Sequence, residues 1–230
     1  MTISVIIPTL NESSTIARTL TRTVALGFEE IIVSDGGSTD PTIPMVRACC
    51  DRVPSTRLIT AQKGRARQLN EGAKASRGDI LLFLHADTEL PPDAKTAIES
   101  ALTDRKIVGG RFDVRFDRAS RWGGMISWFM NRRSRLSGIA TGDQAIFVRR
   151  QVFEQMGGFP DIPLMEDIEF SRRLKRLGPT APLTEAVTTS FRRWEQNGPL
   201  RTILLMWTLR FLYWLGVNPH RLNCFYRAVR

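Results

Sequence analysis

Three short apolar runs, each opening onto a polar turn and then a segment of helical spacing, constrain the fold most. They are TISVIIP at residues 2–8, EIIVS at 30–34 and DILLFL at 79–84, and a weaker run at 57–60 stands between the last two. Runs this short, β-branched and continuously apolar suit strands covered on both faces. Between them, residues 12–27 place Ile16, Leu20, Val24 and Leu26 at helical spacing and stop at Gly27. Residues 41–50, 64–76 (Leu69 and Ala73 on one face) and 91–102 (led by prolines) read as further helices. Strands alternating with helices of about a dozen residues predict an α/β, Rossmann-like and mostly parallel sheet flanked by helices. In such sheets ligands sit beyond the carboxyl ends of the strands. The segments there are Pro8-Thr9-Leu10-Asn11-Glu12, Asp35-Gly36-Gly37-Ser38-Thr39-Asp40, Ala61-Gln62-Lys63-Gly64-Arg65 and His85-Ala86-Asp87-Thr88-Glu89, all of them polar.

The second half is less regular. Residues 108–116 alternate as a strand does, 145–148 form another, and a helix follows to Met156. Residues 165–177 read as an amphipathic helix with Glu166, Asp167 and Glu169 in its first turn. Residues 120–136 mix Trp122, Met125, Ile126, Trp128 and Phe129 with Arg121, Arg132, Arg133 and Arg135.

Charge separates the two halves. The net charge of +10 arises wholly after residue 110, because the first 110 residues hold equal numbers of basic and acidic side chains. Lysine accounts for only residues 63, 74, 95, 106 and 175. Arginine's planar fork and weak hydration suit phosphates or anionic headgroups. Arg-biased codon usage is a second reason for Arg over Lys, but it does not place the charge. At 230 residues the chain is one domain with an appendage. Its 42% hydrophobic content and lack of internal period exclude a disordered or repeat protein. Cys49, Cys50 and Cys224 show no paired spacing and point to a reducing compartment. The opening residues lack the basic region of a secretory leader, so the expected location is the cytoplasm.

The polar turns suggest chemistry. Two side chains at i and i+2 after a strand, His85 and Asp87, can turn toward one point. A divalent cation on a diphosphate takes one or two protein carboxylates and fills its shell with phosphate and water. Asp87 is the obvious carboxylate; His85, as a ligand, favours Mn²⁺ over Mg²⁺. The alternative for Asp87 is a helix cap. Asp35-Gly36 forms a turn where a flat ligand can approach, with a carboxylate for base or ribose hydrogens. Glu166 and Asp167 are either partners of a helix dipole or a positioned base beside a cleft.

IIPTLNE (6–12), SDGGSTD (34–40), LHADTEL (84–90), GDQAIFVRR (142–150) and GGFPDIPLMEDIEFSRRL (157–174) together resemble a family 2 glycosyltransferase of the GT-A type, in order and spacing across residues 1–195. The resemblance implies inverting transfer of a sugar from a UDP- or GDP-linked donor to a hydroxyl or carboxyl of a lipid-like or small acceptor. By motif position, Asp35 and Gly36 would meet the nucleotide, and Pro8, Thr9, Asn11, Glu12, Lys63, Gly64, Arg65, Asn70 and Asp143 would line its pocket. His85-Ala86-Asp87 takes the place of the family's DxD, with Asp87 and His85 toward Mn²⁺ or Mg²⁺. Asp167, seconded by Glu166, would be the base. Phe191-Arg192-Arg193-Trp194 resembles the Arg-Trp element near diphosphate and acceptor in processive relatives, without its glutamine-led signature; Arg193 and Trp194 are its site residues. The short length and the HAD variant look most like small stand-alone bacterial transferases, some of which act on carotenoid acids. The implied organisation is a transferase domain over 1–197, with a nucleotide half to residue 110 and an acceptor half after it, then a basic apolar tail over 198–230.

That tail, LRTILLMWTLRFLYWLGV at 200–217, contains Arg201 and a central Arg210. A central arginine costs about 2.5–3.5 kcal/mol in a spanning helix. An interfacial helix fits better, with Trp207, Phe211, Tyr213 and Trp214 at headgroup level on an anionic inner leaflet. Packing on the core or on a second subunit is the other possibility, and the oligomeric state stays open. Two rival functions remain. A nucleotidyltransferase shares the α/β half, but LNESSTIA is a poor match to its Gly-rich basic signature. A non-enzymatic basic adaptor for membrane or nucleic acid would not need Asp35, Asp87 and Asp167, so no nucleic-acid partner is expected.

Overall fold

The computed structural model describes residues 1–118 and 120–229, the side chains of Arg193, Asn197, Arg227, Ala228 and Val229 aside. The first half is built as read. Strands β1 (Ile3–Thr9), β2 (Glu30–Asp35), β3 (Thr56–Thr60) and β4 (Ile80–Phe83) alternate with helices α1 (Ile16–Val24), α2 (Thr42–Cys50) and α3 (Arg65–Ala75). The four strands lie parallel in the order β3-β2-β1-β4. Val5, Ile7, Ile31, Val33 and Leu82 pack into one apolar layer. Ile6, Ile32, Leu81 and Phe83, one residue out of phase, pack into the other, against Leu69 and Ala73 of α3. Successive side chains of a strand point to opposite faces, which is why the buried runs are continuous rather than alternating.

Beyond β4 the sheet becomes mixed. A two-residue strand β5 (Thr88–Glu89) and helix α4 (Ala94–Ala101) lead to β6 (Gly109–Phe116), helix α5 (Arg121–Ser137) and β7 (Ile146–Arg149). Then come α6 (Arg150–Gln155), α7 (Glu166–Leu177) and β8 (Thr180–Thr189). β7 is antiparallel to both β4 and β6, β8 runs parallel to β6, and β5 closes the edge antiparallel to β8. The whole is one eight-stranded sheet, β3-β2-β1-β4-β7-β6-β8-β5. The expectation of a mostly parallel sheet therefore holds for the first half, β1 to β4. β8 carries Pro182 and Glu185 and is only partly buried along most of its length, so it shows no apolar run.

Helix α5 starts where the Ser120 side chain accepts the Gly123 N–H at 2.8 Å and ends at Gly138 in the left-handed region. The tail is two helices, α8 (Arg192–Asn197) aside: α9 (Pro199–Trp214) and α10 (Pro219–Val229). Leu209 and Leu222 bury against Met165, joined by Ile168 and Tyr213. The Tyr213 hydroxyl donates to Glu169 at 3.1 Å. The apolar tail thus docks one face on α7. Its other face leaves Leu200, Leu204, Trp207, Phe211 and Trp214 exposed.

Candidate functional site

The carboxyl ends of β1 and β2 are tied together before any ligand is considered. The Asp35 carboxylate is buried. It accepts the Thr9 hydroxyl at 3.1 Å, the Ser38 hydroxyl at 2.5 Å and the Gly37 and Ser38 N–H groups at 2.9 and 2.8 Å. Gln68 of α3 donates to the carbonyls of Thr9 and Ser34 at 2.6 and 3.0 Å. A Cβ on Gly36 would fall 2.9 Å from the Gln68 side chain, so glycine here lets Gln68 pack over the turn. Asn11, with a left-handed φ of 57°, bridges the two loops. Its backbone N–H donates to the Ser38 hydroxyl at 2.9 Å and its side-chain Oδ1 accepts the Thr39 N–H at 2.8 Å. The Glu12 N–H donates to Thr42 at 2.8 Å, and Pro8 faces Ser34 across the ladder.

The HAD turn follows β4. The Ala86 carbonyl accepts the Thr19 hydroxyl at 2.7 Å, which anchors the turn on α1. Asp87 is half-buried and, among the described residues, receives one long hydrogen bond, 3.5 Å, from the Thr88 hydroxyl. His85 points elsewhere: its Nδ1 lies 2.9 Å from Arg65 Nη2 and 3.0 Å from Asp143 Oδ1. That nitrogen accepts from Arg65 in one tautomer or donates to Asp143 in the other. The remaining ring nitrogen, Nε2, packs against Gly142, where a Cβ would sit 2.3 Å away.

Arg65, first residue of α3, is the hub. It feels the charges of Glu166, Asp143, Asp167 and Asp87, which together outweigh its partial burial and hold its guanidinium above the ordinary arginine range. Its Nε is 3.6 Å from Glu166. Glu166 and Asp167 open α7 directly after Met165, a non-glycine residue at φ 70°. Glu166 is buried; burial and the adjacent Asp167 push its carboxyl up to about 7 against the pull of Arg65. Asp167 Oδ2 accepts the Gly142 N–H at 2.8 Å and Oδ1 accepts the Ile168 N–H at 2.7 Å. The non-glycine residues at positive φ among those described are Asn11, Ala145 and Met165. Asn11 and Met165 hold turns that carry the site and Ala145 follows Asp143 closely, the places where backbone strain commonly accompanies function.

Some expected residues have other duties. Asn70 clamps Phe159 in both directions, donating to its carbonyl at 2.8 Å and accepting its N–H at 2.9 Å, which fixes the loop before the Glu166-Asp167 pair. Lys63 is exposed, and Gly64 precedes α3 at φ 140°. Trp194 packs with Phe116 and Phe191 at ring separations of 6.0 and 6.5 Å. The side chain of Arg193 lies outside the described residues. Its neighbour Arg192, expected as part of the Phe191-Arg192-Arg193-Trp194 element but not as a site residue, donates to Ser14 at 2.9 Å and joins that element to the loop after β1.

Among the described residues no three His, Cys, Asp or Glu side chains form a metal-holding group. A lone, nearly unengaged carboxylate at Asp87 nonetheless fits a cation that takes its other ligands from a diphosphate and water. His85, engaged at one nitrogen and packed at the other, fits that role only after rearrangement.

Residues 4–157 match the family model Glycosyl transferase family 2, and the chain belongs to that family. It is 29% identical over 224 residues to the probable glycosyltransferase YdaM of Bacillus subtilis, covering 85% of this chain and 50% of that one. It is 29% identical over 167 residues to the undecaprenyl-phosphate 4-deoxy-4-formamido-L-arabinose transferase of Pseudomonas aeruginosa, covering 67% and 49%. The chain thus spans about half the length of these relatives. The mannosyltransferase PcManGT of Pyrobaculum calidifontis, solved with GDP-Man and Mn2+, superposes with a TM-score of 0.65 at 22% identity, over 82% of this chain and 56% of that one. The fold is therefore GT-A. No helix among the described residues is long and apolar enough to cross a membrane.

Proposed function

We propose that this chain is an inverting glycosyltransferase that moves a sugar from a UDP- or GDP-linked donor to a lipid-like or small acceptor. The observation that carries the reading is the gathering of Asp87, Asp143, Glu166 and Asp167 around Arg65 at the carboxyl end of the sheet of a family 2 domain. Asp35 and the loop after β1 would receive the nucleotide. Asp87 would hold the Mn²⁺ or Mg²⁺, which when bound neutralises the leaving diphosphate. Asp167, oriented by the Gly142 N–H, would take the proton of an acceptor hydroxyl. Arg65 and His85 keep the carboxylates apart and aligned. The Pseudomonas relative's name supports a lipid acceptor, as does the exposed aromatic stripe of α9 with Arg201, Arg210 and Arg221 nearby. A peripheral site on an anionic membrane follows from the same stripe. Hydrolysis of UDP-, GDP- and dTDP-sugars with Mn²⁺ or Mg²⁺ tests the reading. Turnover of one donor is expected, and inertness toward all three with either metal contradicts it.

A further inference from the structure

Helix α5 has no task in the scheme above. One side of it packs inward, where Gly123, Ile126 and Ser134 are buried. The other side carries Trp122, Met125, Trp128, Phe129 and Leu136, all between 40 and 78% exposed. At 3.6 residues per turn, Trp122, Met125, Phe129 and Leu136 fall within about 60° of one another, and Arg121 and Arg132 lie between them and Trp128. The Arg132 guanidinium stands 5.6 Å from the centre of the Trp128 ring. Seven Trp and Phe side chains are exposed among the described residues, and six of them are on α5 and α9. Exposed apolar side chains scattered singly are ordinary; this exposure is gathered on two helices.

Those two helices are tied to each other and to the acidic pair. Arg118, just before α5, donates to Glu195, just before α9, at 2.9 and 2.7 Å. The chain leaving α5 packs on α7: the Ala140 N–H donates to the Ser171 hydroxyl at 3.2 Å, and Lys175 donates to the Ser137 carbonyl at 2.7 Å. The same stretch brings the Gly142 N–H to Asp167. Helix α9 meets the start of α7, against Met165 and Ile168. A surface that covers both exposed faces is therefore coupled through α7 to Glu166 and Asp167.

Charge selects what that surface is. Residues 118–142 hold five arginines and no acid, and so do residues 198–230. A second copy docked through the same faces would set arginine against arginine, with no carboxylate on either helix to answer it. An anionic bilayer satisfies both parts. Its hydrocarbon edge takes the rings, and its headgroup phosphates take the guanidinium groups.

We propose that α5 is a second membrane-docking element, lying with α9 on one anionic bilayer surface. The inference rests on the peripheral-membrane reading of α9 and extends it from the tail into the transferase domain.

The test uses the full chain and vesicles of phosphatidylglycerol and phosphatidylcholine, with and without bromine on their acyl chains. Bromine quenches a tryptophan that enters the acyl region. Replacing Trp207 and Trp214 by phenylalanine keeps the α9 face apolar and leaves Trp122, Trp128 and Trp194 as the emitters. Trp194 is packed with Phe116 and Phe191. Brominated vesicles should still quench this protein, and Trp122→Phe with Trp128→Phe should abolish most of that quenching. In the native background, Met125→Ser, Trp128→Ser and Phe129→Ser together should weaken vesicle partitioning by about 10- to 100-fold. Arg121→Gln and Arg132→Gln should each weaken it about fivefold at low salt. If the native protein is quenched but the Trp207→Phe, Trp214→Phe protein is not, α9 alone meets the bilayer and the proposal is overturned while the reading of α9 stands. If the native chain does not sediment with anionic vesicles, both are overturned. Serine substitutions on α5 that turn a dimer into a monomer and leave partitioning unchanged would also overturn it, making the face a subunit seam.

Discussion

Asp167 accepts the N–H of Gly142 at 2.8 Å, and the α-carbon of Gly142 is pressed against the ring of His85. One residue thus spaces the Glu166-Asp167 pair from the HAD turn. An alanine there would place its Cβ 2.3 Å from His85 Nε2 and 3.0 Å from Arg65 Nη2. Gly142→Ala is expected to cost about 1–3 kcal/mol of stability by overpacking. It should reduce kcat more than donor affinity, because the displaced groups align Asp167. Denaturant melts and steady-state kinetics check both.

Asp167→Asn should lower transfer by about 10²–10⁴, the usual range for a positioned base, and leave donor binding within a few-fold. Asparagine keeps an acceptor for the Gly142 N–H and gives up the one for the Ile168 N–H, so the fold should survive with a loss of about 1–3 kcal/mol at most. Glu166→Gln should hurt turnover less. Near-normal turnover of the Asp167 variant would remove it from the mechanism.

Glu166 also predicts a pH dependence of stability. Its carboxyl titrates near 7 in the folded chain, above its ordinary value of 4.5. The folded state therefore binds the proton more tightly than the unfolded state. The stability this provides is complete below about 4.5 and is lost as pH rises through about 7. The Tm should fall between those values, and Glu166→Gln should flatten the slope. A variant with the unaltered slope would assign the titration to another group.

Asn70→Ala should destabilise the chain by about 1–3 kcal/mol, because it leaves the Phe159 N–H and carbonyl without partners. It should also loosen the loop that delivers Met165 and the acidic pair. If nucleotide affinity fell with stability unchanged, Asn70 would be a pocket residue rather than a brace.

The tail is best tested by substitution, because removing α9 would uncover Met165 beside Glu166. Replacing Trp207, Phe211 and Trp214 by serine should release the protein from anionic vesicles. Each arginine lying near the surface should contribute on the order of 1 kcal/mol, weakened by salt. Leu200, Leu204, Trp207, Phe211 and Trp214 also repeat at heptad spacing. If the native chain ignores vesicles and the substitutions instead turn a dimer into a monomer, the stripe is a subunit seam.

The parallel half was legible because Ile6 and Ile7, or Ile32 and Val33, are buried on opposite faces and leave continuous apolar runs. β8 was not legible: it is held by pairing to β6 rather than by its own burial. The acids Asp87, Glu166 and Asp167 stood out at strand and helix ends. The structure added what spacing does not encode, namely which side chains converge. His85 meets Arg65 and Asp143, Asn70 meets Phe159, and Arg192 meets Ser14, contacts that span up to 178 positions of sequence. Of the tail, one face packs on α7, as core packing required, and the other is exposed.

The central claim is that a nucleoside diphosphate and a divalent ion bind at Asp87. Calorimetric titration of UDP and GDP with and without Mn²⁺, into the wild type and into Asp87→Ala, tests it most directly. The account predicts metal-dependent binding of one nucleotide to the wild type and its loss in the folded variant. Equal metal-dependent affinity in both proteins would contradict it.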